Sequence, residues 1–520
     1  MVRATSFLKY SALVVLADAA FGPIEARQDS YNVATRPKVD SKKLQASIKE
    51  AALAQKAKEL EDVAYGTPDR NRVFSSSGHN GTLEFIERYL DSVKDYYTYE
   101  RQEFIALYSQ ASGSLIVGET EYPSTIYQYS PATDGTITAP IVEVQNLGCN
   151  DTDYTDEVSG AIALISRGEC TFGTKSALAG SAGAVGAIIY NNVPGPVSGG
   201  TLGAPPNPAG DYIPSAGVSQ ENGTAILDAI QAGAVEGQLE VDSVIENRTT
   251  YNIIADTIGG DKSNVVAVGA HSDSVFAGPG INDDGSGTIG ILETAIQLAS
   301  YSTKNAVRFC FWSAEEFGLL GSEHYVTALP SAEADKIKLY LNFDMIGSPN
   351  FQYALYDGDG DTFNITGPPG SAEAEHFFED WFEEQGIPTK ATAFDGRSDY
   401  GPFLDAGIPA GGIFTGAEQL KTAEEALLWG GQAGVAYDPN YHLAGDNYTN
   451  LNFEAFLTNT KAIAASVAHY GSDLSSIPPR NSTMKMLKTR GLHHHPHAKR
   501  NKVHAHENTY DCGAAPKVFS

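Results

Sequence analysis

VVAVGAHSDSVFAGPGINDDGSG, residues 265–287, carries the densest chemistry of the chain. An apolar run ends abruptly at His271, with Asp273 two residues on. A Gly/Pro-rich turn then leads to Asn282-Asp283-Asp284 and a small-residue helix start. A continuous run of this kind suits a strand buried on both faces of a sheet. Polar residues at the carboxyl end of such a strand lie where open α/β sheets place ligands. An imidazole and carboxylates with no Lys or Arg among them have the makeup of a divalent-cation site. The plainer alternative is an acidic turn capping a helix, and this stretch alone leaves both open.

Outward from it the pattern repeats. A helix is expected over 286–300. A strand over 307–312 runs into Glu315-Glu316, and a strand over 338–343 ends in Asp344. One acidic strand end is ordinary turn chemistry; three in succession ask for a common reason. Further on come the segment 395–400 with Arg397, an apolar run to Gly416, and Tyr441-His442 within 437–446, before a long apolar helix over 453–467. Of the histidines outside the C-terminal tail, only His271 and His442 sit in loops among carboxylates. His79, His324, His376 and His469 are expected to serve packing or the surface. Two imidazoles and three acids make a co-catalytic pair of metals plausible, clamping and acidifying a water. Adjacent Glu315 and Glu316 offer one ligand and one free base, and Asp273 is placed to hold the second nitrogen of His271.

The chain has 520 residues, enough for more than one domain. Its 64 acidic against 35 basic residues leave a net charge of −29, which argues against a nucleic-acid partner. Residues 1–20 have the layout of a signal peptide, and no apolar stretch is long enough for a membrane anchor. Seven sequons, at Asn80, Asn150, Asn222, Asn247, Asn364, Asn447 and Asn481, support a secretory route and glycosylation. A secreted protein is therefore expected, with a vacuolar location as the alternative, and a monomer. Cys149 and Cys170 flank a strand-like segment and are expected to bridge locally; Cys310 reads as a buried free thiol.

Residues 21–40 read as a propeptide or flexible lead-in. Helical spacing follows over 41–63 and 82–93, then an alternating aromatic strand over 96–108. From 125 to 240 the texture changes to short strands and Gly/Pro-rich turns. Beyond residue 472 the chain is basic and His-rich without apolar periodicity, and disorder is expected for 473–520.

The segment GAIALISRGECTFGTKSALAGSAGAVGAIIYNN (160–192) resembles the protease-associated domain, a β-rich module inserted in several peptidase families. GAHSDSVFAGPGINDDGSG, FWSAEEFGLLGSEHYV, LNFDMIG, GRSDYGPF and YDPNYHLAGD together resemble the co-catalytic two-zinc aminopeptidases, of the aminopeptidase Y and secreted fungal leucine aminopeptidase kind. The resemblance covers roughly residues 40–470. It implies an α/β fold, with a mixed, mostly parallel sheet sandwiched by helices. The peptidase domain would occupy 41–124 and 241–472 around the inserted module.

The same resemblance implies two Zn2+ per chain. His271 and Asp344 would bind one, Glu316 and His442 the other, with Asp283 bridging. Glu315 would be the general base acting on a water that bridges the zincs, and Asp273 and Tyr441 would assist. Arg397, Tyr400 and Phe414 would contact substrate: a peptide with a free N-terminus and a large apolar first residue. The Asp283-Asp284 peptide would be cis. Relatives with a disulfide around the last metal histidine differ here, where Asn440 and Gly445 stand instead.

Three rival readings remain. A glutamate carboxypeptidase-like enzyme of the same fold needs cations aimed at a substrate carboxylate, and Arg397, Arg167 and Lys175 are the candidates. A catalytically inactive receptor-like binding protein would have lost ligands. Metal sequestration by the His-rich tail would make the folded site irrelevant.

Overall fold

The computed structural model describes residues 36–195, 197 and 200–480. The expected signal peptide, most of the lead-in, Asn481, Cys512 and the tail histidines lie outside the described residues.

The run at 265–271 ends the strand Asp261–His271, which lies between Asn305–Trp312 and Ile337–Phe343 and is parallel to both. Ile337–Phe343 pairs in parallel with Ala410–Phe414, and the short strands Ala354–Tyr356 and Lys390–Thr392 complete that edge. On the other side Glu236–Thr257 runs antiparallel to Asn305–Trp312. The sheet is mixed and mostly parallel at its centre, as the sequence predicts.

Alternate residues of each central strand point to opposite faces. Val266, Val268, Phe309, Phe311, Leu339 and Leu341 enter one buried cluster with residues of the helices Glu50–Tyr65, Gly285–Leu298, Ser371–Glu384 and Phe453–Ser472. Ala267, Cys310, Trp312 and Tyr340 enter another with Tyr325 and Phe403, from Leu320–Ala328 and Tyr400–Asp405. Cys310 is a buried free thiol.

Several element boundaries differ from the expectation. The helix expected over 41–63 is two helices, Ser41–Ser47 and Glu50–Tyr65, with Ile48 and Lys49 extended between them. In one straight helix Leu44 and Leu53 would lie about 180° apart at about 100° per residue. The break lets both reach the core, where both are fully buried. The next helix starts earlier, at Ser77, because the Ser76 hydroxyl caps it by accepting from His79 N–H. Residues 36–40, expected within the lead-in, are tied down: Val39 N–H donates to Ser302 O, and Arg36 donates to Ala299 O and pairs with Asp95. Residues 473–480, expected to be disordered, pack on the domain through buried Ile477 and through Arg480, which donates to Ala334 O and Ala406 O.

The inserted module hangs from a two-stranded ribbon. Tyr97–Val117, much longer than the expected 96–108, pairs antiparallel with Glu236–Thr257 from Tyr97↔Thr257 to Val117↔Gly237. The outer end of that ribbon pairs with Ile137–Glu143, followed by the parallel strands Ile162–Ser166, Gly186–Tyr190 and Ser215–Val218. The helices Phe172–Ser181 and Gln220–Ala232 also belong to the module; the first begins earlier than the Ala/Gly helix expected over 177–184. Its core takes Leu115, Val117 and Val241 from outside residues 125–240. Cys149 and Cys170 form a disulfide with Cα atoms 5.7 Å apart.

The N-terminal segment docks on the loop that follows His271. Arg72 is fully buried. Its guanidinium donates to Pro279 O at 2.7 Å, Gly280 O at 2.6 Å and Ser272 O, while its N–H donates to the Ser274 hydroxyl at 2.9 Å. Buried His79 contacts the Ser272 hydroxyl at 3.0 Å, and Asn71 donates to Phe276 O at 3.0 Å. Residues 272–280 are thereby held by side chains about two hundred positions away in sequence.

Two stability outcomes follow. Arg72→Met leaves the buried carbonyls of Ser272 and Pro279 without a donor, while Gly280 O keeps the N–H of Gly285, and should lower unfolding stability by about 3 kcal/mol or more in urea titrations; a change below about 0.5 kcal/mol would show that the clamp is not needed. Replacing Cys149 and Cys170 together by Ser should destabilise the module by about 3 kcal/mol, given the length of the closed loop. Calorimetry should show its transition moving down while the peptidase transition stays.

Candidate active site

The three central parallel strands end at one edge of the sheet, and their ends supply most of the site. His271 closes Asp261–His271. Glu315 and Glu316 follow Asn305–Trp312 in the short turn Glu315–Phe317, and Asp344 follows Ile337–Phe343. Asp283 comes from the loop before Gly285–Leu298 and His442 from the loop preceding the last helix.

The structure brings these residues together. His271 Nε2 lies 3.2 Å from Asp283 Oδ1 and 3.7 Å from Asp344 Oδ1. His442 Nε2 lies 3.2 Å from Asp283 Oδ2 and 3.0 Å from Glu316 Oε2. The two oxygens of Asp283 thus face two different histidines. His271, Asp283 and Asp344 form one triad, and Asp283, Glu316 and His442 another, each with donor atoms within 4.8 Å of one another. Glu315 belongs to neither triad; its Oε2 lies 3.8 Å from His271 Nε2.

Neighbouring groups fix this arrangement. The Asp283-Asp284 peptide is cis. Asp284 turns away from the cluster and accepts from the N–H groups of His271, Gly287 and Met345 at 3.1, 2.8 and 3.1 Å. Asp446 accepts from Asn282 N–H at 2.8 Å and Asp283 N–H at 3.0 Å, and Asp438 accepts from the Asn282 amide at 2.6 Å. A relay runs from Trp312 Nε1 to Tyr340, Asn342, Ser398 and finally Asp344 Oδ2, with successive distances of 2.8, 2.9, 2.8 and 2.6 Å. Asp273 Oδ1 accepts from Glu315 N–H at 3.2 Å. It stands 3.6 Å from His271 Nδ1, beyond hydrogen-bond length. Asn440, in place of a disulfide, braces the His442 loop by donating to Asp438 and Asn450 at 2.8 and 2.7 Å.

Charge shapes the cluster. Burial lowers the proton affinity of His271, but Glu315, Asp344, Asp273 and Asp283 outweigh it and hold the imidazole well above its ordinary range. His442 is raised to about 10 by Glu316 and Asp283 against burial. Glu315 is pushed well above the carboxylate range by burial, reinforced by Glu316, Asp344 and Asp399 and opposed by His271. The set is suited to cations: imidazole nitrogens and carboxylate oxygens with no Lys or Arg among them. Tetrahedral ligands at about 2.0 Å from a zinc stand about 3.3 Å from each other, close to the spacing within the triads. Glu316 Oε1 is buried and accepts no hydrogen bond, leaving it available to such an ion.

A cleft of about 840 Å3 opens over the cluster, lined by Asp283, Glu315, Glu316, Asp344 and His442 together with Arg397, Tyr400, Phe414 and Tyr441. Arg397 donates to both carboxylate oxygens of Glu418 at 3.0 and 3.2 Å and to the Tyr441 hydroxyl at 3.2 Å. Tyr400 is almost fully buried, with its hydroxyl donating to Asp395 at 2.8 Å. Arg167, Glu169 and Phe172 of the module reach the far wall. Lys175 does not: it is buried inside the module, donating to Leu147 O and Cys149 Sγ.

The remaining predicted residues lie apart. His324 stacks on Phe104, His469 packs against Phe377, and His376 stands 3.6 Å from Asp359. Asn80, Asn150, Asn247 and Asn364 are exposed, and Asn222 and Asn447 half-buried. A second acidic group, Asp357, Asp359 and Asp361, lies in a loop whose own N–H groups occupy Asp357 and Asp359. Sequence reasoning did not find Arg72, Ser398, Glu418, Asp438 or Asp446 as parts of the site. Asp438 and Asp446 fall within the motif YDPNYHLAGD and Ser398 within GRSDYGPF, and those positions were the available signal; Arg72 and Glu418 lie in none of the motifs.

Residues 252–467 match the model of peptidase family M28, and residues 137–226 match the PA domain. The chain is 53% identical to a probable leucine aminopeptidase 2 of Aspergillus fumigatus over 448 residues, covering 86% of this chain and 89% of the relative. It is 50% identical to leucine aminopeptidase 2 of Arthroderma otae over 458 residues, covering 88% and 91%. Among solved structures, the aminopeptidase from Aneurinibacillus sp. strain AM-1 superposes with a TM-score of 0.66 at 26% identity, covering 83% of this chain and 96% of that one. The zinc aminopeptidase BSAP from Bacillus subtilis gives 0.64 at 26% identity, covering 81% and 95%. With strand ends, paired triads and inserted module all in keeping with these matches, the chain belongs to peptidase family M28, as a metallo-aminopeptidase carrying a PA domain.

Proposed function

We propose that this protein is a secreted aminopeptidase that removes N-terminal residues, large apolar ones such as leucine among them, from peptides with the help of two zinc ions. The observation that carries the reading is the pair of triads sharing Asp283, with Glu315 beside both and a member of neither. His271, Asp283 and Asp344 would hold one ion, and Asp283, Glu316 and His442 the other. When bound, the ions supply Lewis acidity and make a water acidic enough to attack at neutral pH.

The chain's own groups account for the rest. Glu315, buried at the cleft floor and oriented by its N–H bond to Asp273, takes the proton of the attacking water and passes it to the leaving amine. Ser398 donates to Asp344 and keeps that carboxylate in position. Tyr441, whose hydroxyl accepts from Arg397, is assigned to the carbonyl oxygen of the scissile bond. Tyr400 and Phe414 are assigned to the wall met by the first side chain. Secretion and glycosylation at the sequons belong to the same reading; among the described residues no helix is long and apolar enough to cross a membrane.

The carboxypeptidase alternative is disfavoured because the charge of Arg397 is matched by Glu418. The carboxylates lining the cleft have the sign to receive a free ammonium terminus instead. The receptor-like alternative is disfavoured because the full donor set and the base are all in place.

Glu315→Ala should still bind two zinc ions per chain by metal analysis while activity on leucyl arylamide falls roughly 10²–10⁴-fold. Loss of zinc in that variant would mean that the roles of the two adjacent glutamates are exchanged. Chelation should abolish activity and added zinc restore it. N-acetylation of a peptide should block its hydrolysis and C-amidation should not; the opposite pattern would establish the carboxypeptidase. Equal rates on leucyl, lysyl and glutamyl arylamides would reject the apolar preference.

A further inference from the structure

One polar side chain on the cleft wall lacks a partner that its burial calls for. Gln352 lines the cleft, is only 4% exposed, and its Oε1 accepts no hydrogen bond. Its backbone ties it to the acidic cluster. Gln352 N–H donates to Thr415 O at 3.0 Å, and Thr415 N–H donates to Met345 O at 2.9 Å, one residue after Asp344. Two such steps span about 10 Å at ordinary strand spacing. Met345, Tyr356 and Phe414, which line the same cleft, give this side of it an apolar wall. A buried amide with an unmet acceptor is destabilising unless a ligand or a water meets it.

We propose that Gln352 is a specificity-determining residue: it ends the pocket for the first side chain and pairs amide-to-amide with an N-terminal glutamine. The inference rests on the aminopeptidase reading, which places the first residue over the cluster and its side chain along this wall. A glutamine stem lays two methylenes on the apolar wall, and its amide offers both a donor and an acceptor. The reciprocal pair forms whichever way the Gln352 amide is turned. It is neutral, so no charge is taken out of water. Leucine, short and branched, meets Met345 and Phe414 without needing Gln352, and remains a substrate. Glutamate brings an acceptor-only carboxylate into a cleft already lined by Asp395 and Glu425, and is disfavoured.

The test is kcat/KM of the zinc-loaded enzyme on glutaminyl, norleucyl, leucyl and glutamyl arylamides, for the natural protein, Gln352→Leu and Gln352→Met. Norleucine has an apolar chain of similar length without the amide. In both variants the glutaminyl value should fall about tenfold relative to norleucyl, mainly through KM, while leucyl and norleucyl stay within about twofold and thermal midpoints do not fall. An unchanged glutaminyl-to-norleucyl ratio would overturn the proposal. So would a common fall on all four substrates, which marks a structural role. Failure of the natural protein to hydrolyse leucyl arylamide at all would instead bring down the aminopeptidase reading, and this inference with it.

Discussion

The site depends first on the carboxylate of Asp284. It accepts hydrogen bonds from three N–H groups that come from three pieces of chain: His271 at a strand end, Gly287 in the first turn of a helix, and Met345 just after Asp344. Together these bonds hold the first metal-binding candidates in a common frame. The helix must come close for this to work. A Cβ at Gly287 would sit 1.9 Å from Phe343 O, so any side chain there would lift the helix from the strand. Within NDDG the labour is divided: Asp283 faces the two histidines, and Asp284 organises the backbone behind them.

The second constraint is charge. Asp273, Asp283, Asp284, Glu315, Asp344, Asp399, Asp438 and Asp446 are all buried around this centre, with Arg72 the fully buried guanidinium among them. Both oxygens of Asp399 accept no hydrogen bond. Carboxylates packed so closely in low dielectric either take up protons or gather cations. The carboxylates that raise the proton affinities of His271 and His442 express this surplus, and the same groups favour a cation between them. The same surplus separates the cleft from one that binds a substrate carboxylate, because Arg397, the arginine beside the acidic cluster, is matched by Glu418.

Much of this was legible from the amino acids alone. The apolar runs ending in His271, Trp312 and Phe343 mark strands, and the polar residues after each are drawn together because neighbouring parallel strands end at one edge. What could not be read is what holds the loops. Arg72 acts on backbone carbonyls of residues 272–280, and a bond to a carbonyl leaves no mark on the identity of the partner. Ser398 and Asn342 form a relay only because Ile337–Phe343 and the 395–400 loop happen to be adjacent in space. The break between Ser47 and Glu50 was visible in principle, since Leu44 and Leu53 fall on opposite sides of a straight helix. The length of Tyr97–Val117 was not, because its outer half alternates weakly and is buried only by the module it supports.

That ribbon also determines how the module can contribute. Glu236–Thr257 pairs with Asn305–Trp312 at one end and with Ile137–Glu143 at the other, so a single strand belongs to both units. Its partner Tyr97–Val117 follows it in register over the whole distance. A flexible linker would let the module swing freely, whereas a hydrogen-bonded ribbon fixes its two strands to one another and is stiffer than a single chain. The disulfide from Cys149 to Cys170 adds a second restraint, on the loop that carries Arg167 and Glu169 to the cleft wall. The far wall of the cleft is therefore carried on a hydrogen-bonded ribbon and a disulfide-closed loop rather than on a flexible linker.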